Sequence, residues 1–255
     1  MSTEARTAYA TFSCGAPALS FPGTASYGSG EDMANPEHLA RLIAGIDSWH
    51  HWRATSGVVS PDLSGADLSP NGVWQTALMT TSAARSTRTV ISAQPGAGAD
   101  LSGVDFSNTD LRNVNLGMAN MTGANLCGAR VGFALLARTR LDGANLTHAA
   151  LHMTQLTRAS AVAADFRYAD LSFTVFAGAD LQNARFADAV MAGCVLTDLD
   201  LRSADGLKFI YHTGPSSIGL DTVYRSGGLI PIEFLRCFAL QIPGKAGAAF
   251  DAARH

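Results

Sequence analysis

Charge is scarce in this chain of 255 residues: 15% are Asp, Glu, Lys or Arg, and the formal balance is −3. Such a balance offers no polybasic patch for nucleic acid or for an anionic membrane surface, so neither is expected as a direct partner. The four cysteines, Cys14, Cys127, Cys194 and Cys237, lie scattered without C-x-x-C spacing, which argues against a zinc motif. No apolar run approaches the ~18 residues of a membrane span. The first twenty residues lack both a charged start and an apolar segment, so no signal peptide is expected and a reducing cytoplasm is the default setting. Walker loops, dinucleotide fingerprints and EF-hand loops are missing, and no cofactor is expected. His212, Ser216, Ser217 and Asp221 suggest a catalytic triad at first sight. However, "GPSSIG" is not the G-x-S-x-G elbow, and serines so close in sequence more often bond nearby backbone in a turn. His148 and His152 stand four apart, a helical metal spacing that means nothing off a helix. The expectation is a protein with no catalytic residues and no metal ligands.

What the chain does have is a period of five. Every fifth residue from Leu101 to Leu201 is apolar through twenty-one units, among them Phe106, Leu116, Leu136, Phe166, Phe176 and Phe186. Two residues before each stands a small side chain, usually Ala, with Thr, Val and Cys194 as variants and the larger Leu199 near the end. The residue just before the apolar one is Asp or Asn in eleven units. Neither a helix, with its 3.6-residue stripe, nor a strand, which alternates at 2, makes such a record. A fixed internal period predicts a solenoid whose units bury their apolar faces by stacking.

Stretches such as "GADLS", "GANLC", "GANLT", "YADLS" and "GADLQ" resemble the pentapeptide-repeat family, well over residues 97–205 and weakly over 61–80. The resemblance implies an all-β solenoid, a right-handed quadrilateral β-helix with four pentapeptides to each coil. The large apolar residue and the small one two before it would point inward, and residues twenty apart would stack. Ala161 is then the one small member of the four interior columns. It predicts a deficit in its layer that a leucine would fill.

Residues 1–32 are rich in Ala, Ser, Thr, Gly and Pro and read as a disordered extension, with Met33 a candidate true start. From there "MANPEHLARLIAGIDSWHHWR" carries an Asn35 cap signal, Pro36 and apolar residues at helical spacing. It predicts an N-terminal capping helix over 33–56, with His50 and His51 on its polar side or at its end. The repeat β-helix is expected over 57–205. Leu63, Leu68, Val73 and Leu78 make a first set, and a loop near 79–89 carries Arg85 and Arg88. Residues 206–255 are expected to form a short helical cap and tail, with Phe234, Leu235 and Phe238 covering the last coil. The "HTGPSS" segment is similar to one in longer bacterial members of the family, where it leads in some cases to a Toll/interleukin-receptor-like domain. "CFALQIPGKAGAAFDAARH" departs from that pattern, and no such domain is expected.

Outward positions twenty apart bring Phe133, Met153 and Phe173 into one column and Leu135, Val175 and Val195 into a second, with Gln155 between them. Six large apolar side chains on one wall are unexpected for a soluble monomer and predict a contact surface for a protein partner or a second copy of the chain. Arg138 and Arg158 also fall in register, and like charges at strand spacing repel unless something anionic lies near. The resemblance carries an alternative: some family members mimic duplex DNA and protect DNA gyrase from inhibitors. Residues 97–205 hold eleven Asp and eight Arg, a thin excess for a polyanion mimic.

Overall fold

The structure, a computed structural model, describes residues 34–69 and 98–238. From Asp100 onward the main chain returns to parallel register every twenty residues. Asp100 pairs with Asn120, Asp105 with Asn125, Asp110 with Arg130 and Asn115 with Leu135, and the four series continue upward. Each unit contributes a single bridge, then turns. The Leu101 carbonyl accepts from Val104 N–H (3.3 Å), closing a β-turn whose third residue, Gly103, has φ +63°. Such a turn needs a left-handed residue at that place. The same place recurs at every fifth residue up to Asp198, and fourteen of these residues are not glycine.

Between coils the ladder is regular. Leu101 N–H donates to the Asn120 carbonyl at 2.7 Å, and Asn120 N–H donates back to Ala99 at 2.9 Å. Inward hydroxyls add a second thread: Thr139, Thr154 and Thr174 are fully buried and donate to the carbonyls of Leu116, Val131 and Leu151 at 2.7, 3.0 and 2.9 Å. A buried hydroxyl without such a partner would cost roughly 1–3 kcal/mol. Threonine is therefore tolerated where alanine is the rule. Cys194, also buried, directs its thiol at the Leu171 carbonyl in the same way, and burial pushes that thiol's pKa up.

The apolar series fills the interior as the period requires, from Leu101 to Leu201. Ala161, where a deficit is expected, shares its coil with two large rings. Phe166 and Phe176, one and three units further on, meet edge to face with centroids 6.2 Å apart, and Phe166 stacks on Phe186 at 5.2 Å. Ala161 itself is only 1% exposed.

Before the coils, the chain forms α1 (Pro36–Ile43) and α2 (Ile46–Ser56). They break at Gly45, whose φ of +119° no helix continues. The expected single helix is thus two. Asn35 caps α1 through its side-chain oxygen, which accepts from Glu37 and His38 N–H. Both helices meet the exposed edge of the ladder directly. Asn35 N–H donates to the Asp62 carbonyl (3.1 Å), and His38 Nδ1 accepts from Asp62 N–H (2.9 Å). Trp49 Nε1 donates to the Asp100 carbonyl (2.8 Å), and His50 Nε2 accepts from Asp100 N–H (2.9 Å). His50, expected on the polar side, is therefore a partner of the main chain, while His51 is exposed. Asp62 pairs with Asp105, forty-three residues on instead of twenty. Val73, Leu78, Arg85, Arg88 and the expected loop at 79–89 lie outside the described residues, as do residues 1–33.

At the other end, β1 (Val190–Met191) and β2 (Val195–Leu196) pair in parallel with β3 (Tyr211–His212) and β4 (Ser217–Ile218). Helices α3 (Leu220–Arg225) and α4 (Ile232–Arg236) follow. Phe234 is buried against the ring of Phe238, with His212 between strand and helix, and Leu235 is partly buried against the core.

Candidate interaction surface

The corner residues carry the feature that needs explaining. Phe133, Met153 and Phe173 stand at successive levels of one corner, with φ of +61°, +56° and +59°. Phe133 N–H bonds the His152 carbonyl, and Met153 N–H bonds the Ser172 carbonyl, so the three corners stack in register. They are 49%, 45% and 52% exposed. Left-handed backbone favours Gly or Asn; a bulky residue there costs roughly 1 kcal/mol or more. This corner holds two phenylalanines and a methionine instead. A neighbouring glycine admits Phe173: a β-carbon on Gly193 would lie 2.4 Å from its ring, while one on Gly132 would lie 2.4 Å from the His152 ring. The His152 ring in turn meets Phe133 edge to face at 5.2 Å.

Beside this ridge lies a flat face. Leu135, Gln155, Val175 and Val195 bridge one another in sequence, and Ser217 of β4 closes the series. Leu135 is exposed, and Val175 and Val195 are half-buried. The six residues expected to share a wall, Phe133, Leu135, Met153, Phe173, Val175 and Val195, therefore occupy adjacent columns. On the far side of the face a third column holds Met118, Arg138 and Arg158, all exposed and left-handed. In the sequence those arginines stand apart from the six wall residues; the coil makes them the opposite rim.

Elsewhere the arginines are paired. Asp110, nearly buried, takes Arg112 from its own turn and Arg130 from the coil above. Burial works against its charge, yet the hydrogen bonds from the two guanidiniums prevail and hold the carboxyl below its ordinary range. Asp165 repeats the arrangement with Arg167 and Arg185, with the same balance of burial against hydrogen bonds. Arg140 reaches Asp142, and Arg202 reaches Asp200. Asp110, Asp142, Asp165 and Asp200 are thus locally neutralised.

The residues suggestive of a triad do not assemble. Neither ring nitrogen of His212 has a hydrogen-bond partner, and burial lowers its pKa. The Asp221 carboxylate accepts from Asp198 N–H. The Ser216 hydroxyl accepts from Cys194 N–H, and the Ser217 hydroxyl donates to the Cys194 carbonyl. These serines bond backbone a coil away, not within their own turn. Among the described residues, no three His, Cys, Asp or Glu side chains gather to hold a metal, and no helix is long and apolar enough to cross a membrane.

The pentapeptide-repeat family matches residues 97–128, 128–160 and 169–205, in eight copies. These residues are pentapeptide repeats. Solved structures with which the repeats share likeness include trypsin-treated QnrB1, a plasmid-mediated fluoroquinolone resistance protein. It is 18% identical over 56% of this chain and 73% of that one, with TM-score 0.28. A pentapeptide-repeat protein of the Arabidopsis thaliana thylakoid lumen is 28% identical over 42% of this chain and 63% of its own, with TM-score 0.21. HetL, involved in heterocyst differentiation regulation in the cyanobacterium Nostoc, is 23% identical over 42% and 70%, with TM-score 0.16. No curated protein sequence matches the chain. Within the pentapeptide repeats the wall is made wholly of outward positions, which the repeat leaves free to vary.

Proposed function

We propose that this pentapeptide-repeat protein is a non-enzymatic scaffold that binds protein through the wall of Phe133, Leu135, Met153, Phe173, Val175 and Val195, with a second copy of the chain as one form of partner. The repeats are read as a right-handed quadrilateral β-helix over residues 57–205. The segments at 33–56 and 206–255 serve as its caps, and the setting is cytoplasmic. Helix edges that meet main-chain groups of Asp62 and Asp100 suit that capping role, because an open ladder invites pairing with another chain. One observation carries the binding proposal: three bulky apolar residues persist at corners where the backbone favours glycine, and they border an apolar face.

Half of each phenylalanine is exposed, roughly 80–100 Å², so covering it contributes about 2 kcal/mol gross. Replacing Phe133 and Phe173 together with Ser is expected to weaken association by ~100-fold or more, without unfolding the coils. Sedimentation equilibrium and capture of partner protein measure it. Unchanged mass and unchanged capture would refute the proposal.

The second reading, gyrase protection by mimicry of duplex DNA, has a counter-argument in the paired arginines. Asp110 and Asp165 each sit between two guanidiniums, which leaves little of the continuous negative field of a polyanion. A gyrase supercoiling assay with and without a quinolone separates the two.

A further inference from the structure

We infer that the wall takes an acidic amphipathic segment of a partner protein, with its apolar side chains on Leu135, Val175 and Val195 and its carboxylates on Arg138 and Arg158. This rests on the contact-surface reading above and adds the chemistry of the occupant.

The ground for it is which cations are left without a counter-charge. Of the arginines in the repeats, six make an ion pair with a neighbouring aspartate; only Arg138 and Arg158 make neither an ion pair nor a side-chain hydrogen bond among the described residues. These two are consecutive members of one corner column, because Arg138 N–H bonds the Thr157 carbonyl and Arg158 N–H bonds the Ala177 carbonyl. Successive levels of a ladder are about 4.8 Å apart, so the charges are stacked where they repel. Asp198, two levels along the same corner, is already held by Arg225. Both arginines also adopt the left-handed corner backbone, at φ +59° and +56°. A pair of bare guanidiniums on strained corners is unfavourable in the free protein. It becomes favourable once carboxylates are brought to it, since Arg–carboxylate pairs are the strong, directional kind.

The floor between the two rims sets the rest of the occupant's character. Its column is Leu135, Gln155, Val175 and Val195, apolar but for the one amide of Gln155, and the opposite rim is Phe133, Met153 and Phe173. An occupant must therefore be apolar along one line and anionic along the next. An anionic lipid surface shares part of that description. However, membrane attachment takes a cluster of several cations, and the surface here supplies two on a chain of net charge −3.

The test uses the full chain and fluorescence anisotropy with three short labelled peptides, in which Leu alternates with Glu, Lys or Ser. The Leu–Glu peptide is expected to bind at least ~10-fold more tightly than the Leu–Lys peptide, by an amount that shrinks as salt is raised. Arg138→Gln with Arg158→Gln is expected to abolish that preference and leave circular dichroism unchanged. Phe133→Ser with Phe173→Ser is expected to weaken binding of every peptide. Equal binding of the Glu and Ser peptides, still lost with the Phe variants, would overturn the acidic occupant and leave the contact surface standing. Equal binding of the Glu and Lys peptides, or a preference that survives loss of both arginines, would do the same. Phosphatidylserine vesicles that bind as well as the Leu–Glu peptide would replace the protein segment with a membrane. Phe variants that change neither peptide binding nor molecular mass would remove both readings.

Discussion

Replacing Ala161 with leucine tests the packing of the solenoid most sharply, because two lines of reasoning give opposite signs. The interior columns alone make Ala161 a gap that leucine should fill, with a gain in stability. The rings of its own coil make it a relief: Phe166 and Phe176 meet at 6.2 Å across that level, and Phe186 stacks on Phe166 from the level above. At 1% exposure Ala161 has no route to solvent for three added carbons. Overpacking of this kind typically costs about 1–3 kcal/mol. For a domain of this size each kcal/mol shifts the melting temperature by roughly 2–4 °C, so Ala161→Leu is expected to lower it by ~2–12 °C. Phe176→Leu frees volume in the same level. In the double variant the two costs are expected to be less than additive by ~0.5 kcal/mol or more, as for residues that share one space. Urea unfolding followed by far-UV circular dichroism gives all four corners of that cycle. A midpoint that rises in Ala161→Leu alone would refute the compensated-core reasoning and restore the gap.

Two further predictions concern the ends. Trp49→Phe keeps an aromatic ring in a fully buried site but leaves the Asp100 carbonyl without its donor, an expected loss of about 1–3 kcal/mol in urea midpoint measurements; an unchanged midpoint would show that α2 does not hold the ladder edge. His212 has its pKa lowered by burial, so the folded protein resists its protonation while the unfolded chain does not. Its share of stability is therefore intact above the ordinary histidine value of 6.5 and declines as pH falls below it toward the lowered folded value. His212→Phe is expected to flatten that part of the pH–stability curve, and identical slopes for the two proteins would refute it.

The period of five made the interior legible residue by residue, because each inward position is fixed by its place in the unit and not by its neighbours. The same periodicity placed Phe133, Met153 and Phe173 in one column, since corners stack when the coil closes at twenty. What stayed hidden depends on side chains choosing among partners. His38 and His50 accept from main-chain N–H groups of Asp62 and Asp100, yet on an amphipathic helix they look like solvated polar residues. Gly45 broke a helix whose apolar spacing ran straight through it. Ala161 reads as a defect because a column shows what lies above and below, while the paired rings of Phe166 and Phe176 in the same coil appear only in the structure. The distinction between Arg130, paired with Asp110, and Arg138, paired with nothing among the described residues, appears only once the coil shows which carboxylate each can reach.

Main-chain bonds that join positions a fixed twenty residues apart also turn chain length into an angle. Excising any five consecutive residues would leave inward side chains inward, yet everything downstream would shift to the next of the four bridged series. Excise Gly143 to Thr147, and Phe173 would leave the column it shares with Phe133. Excise a full round of twenty, and the stack loses one level while its columns stay aligned. Length variation in such a chain works like a combination lock, in which only whole revolutions preserve the pattern presented to the outside.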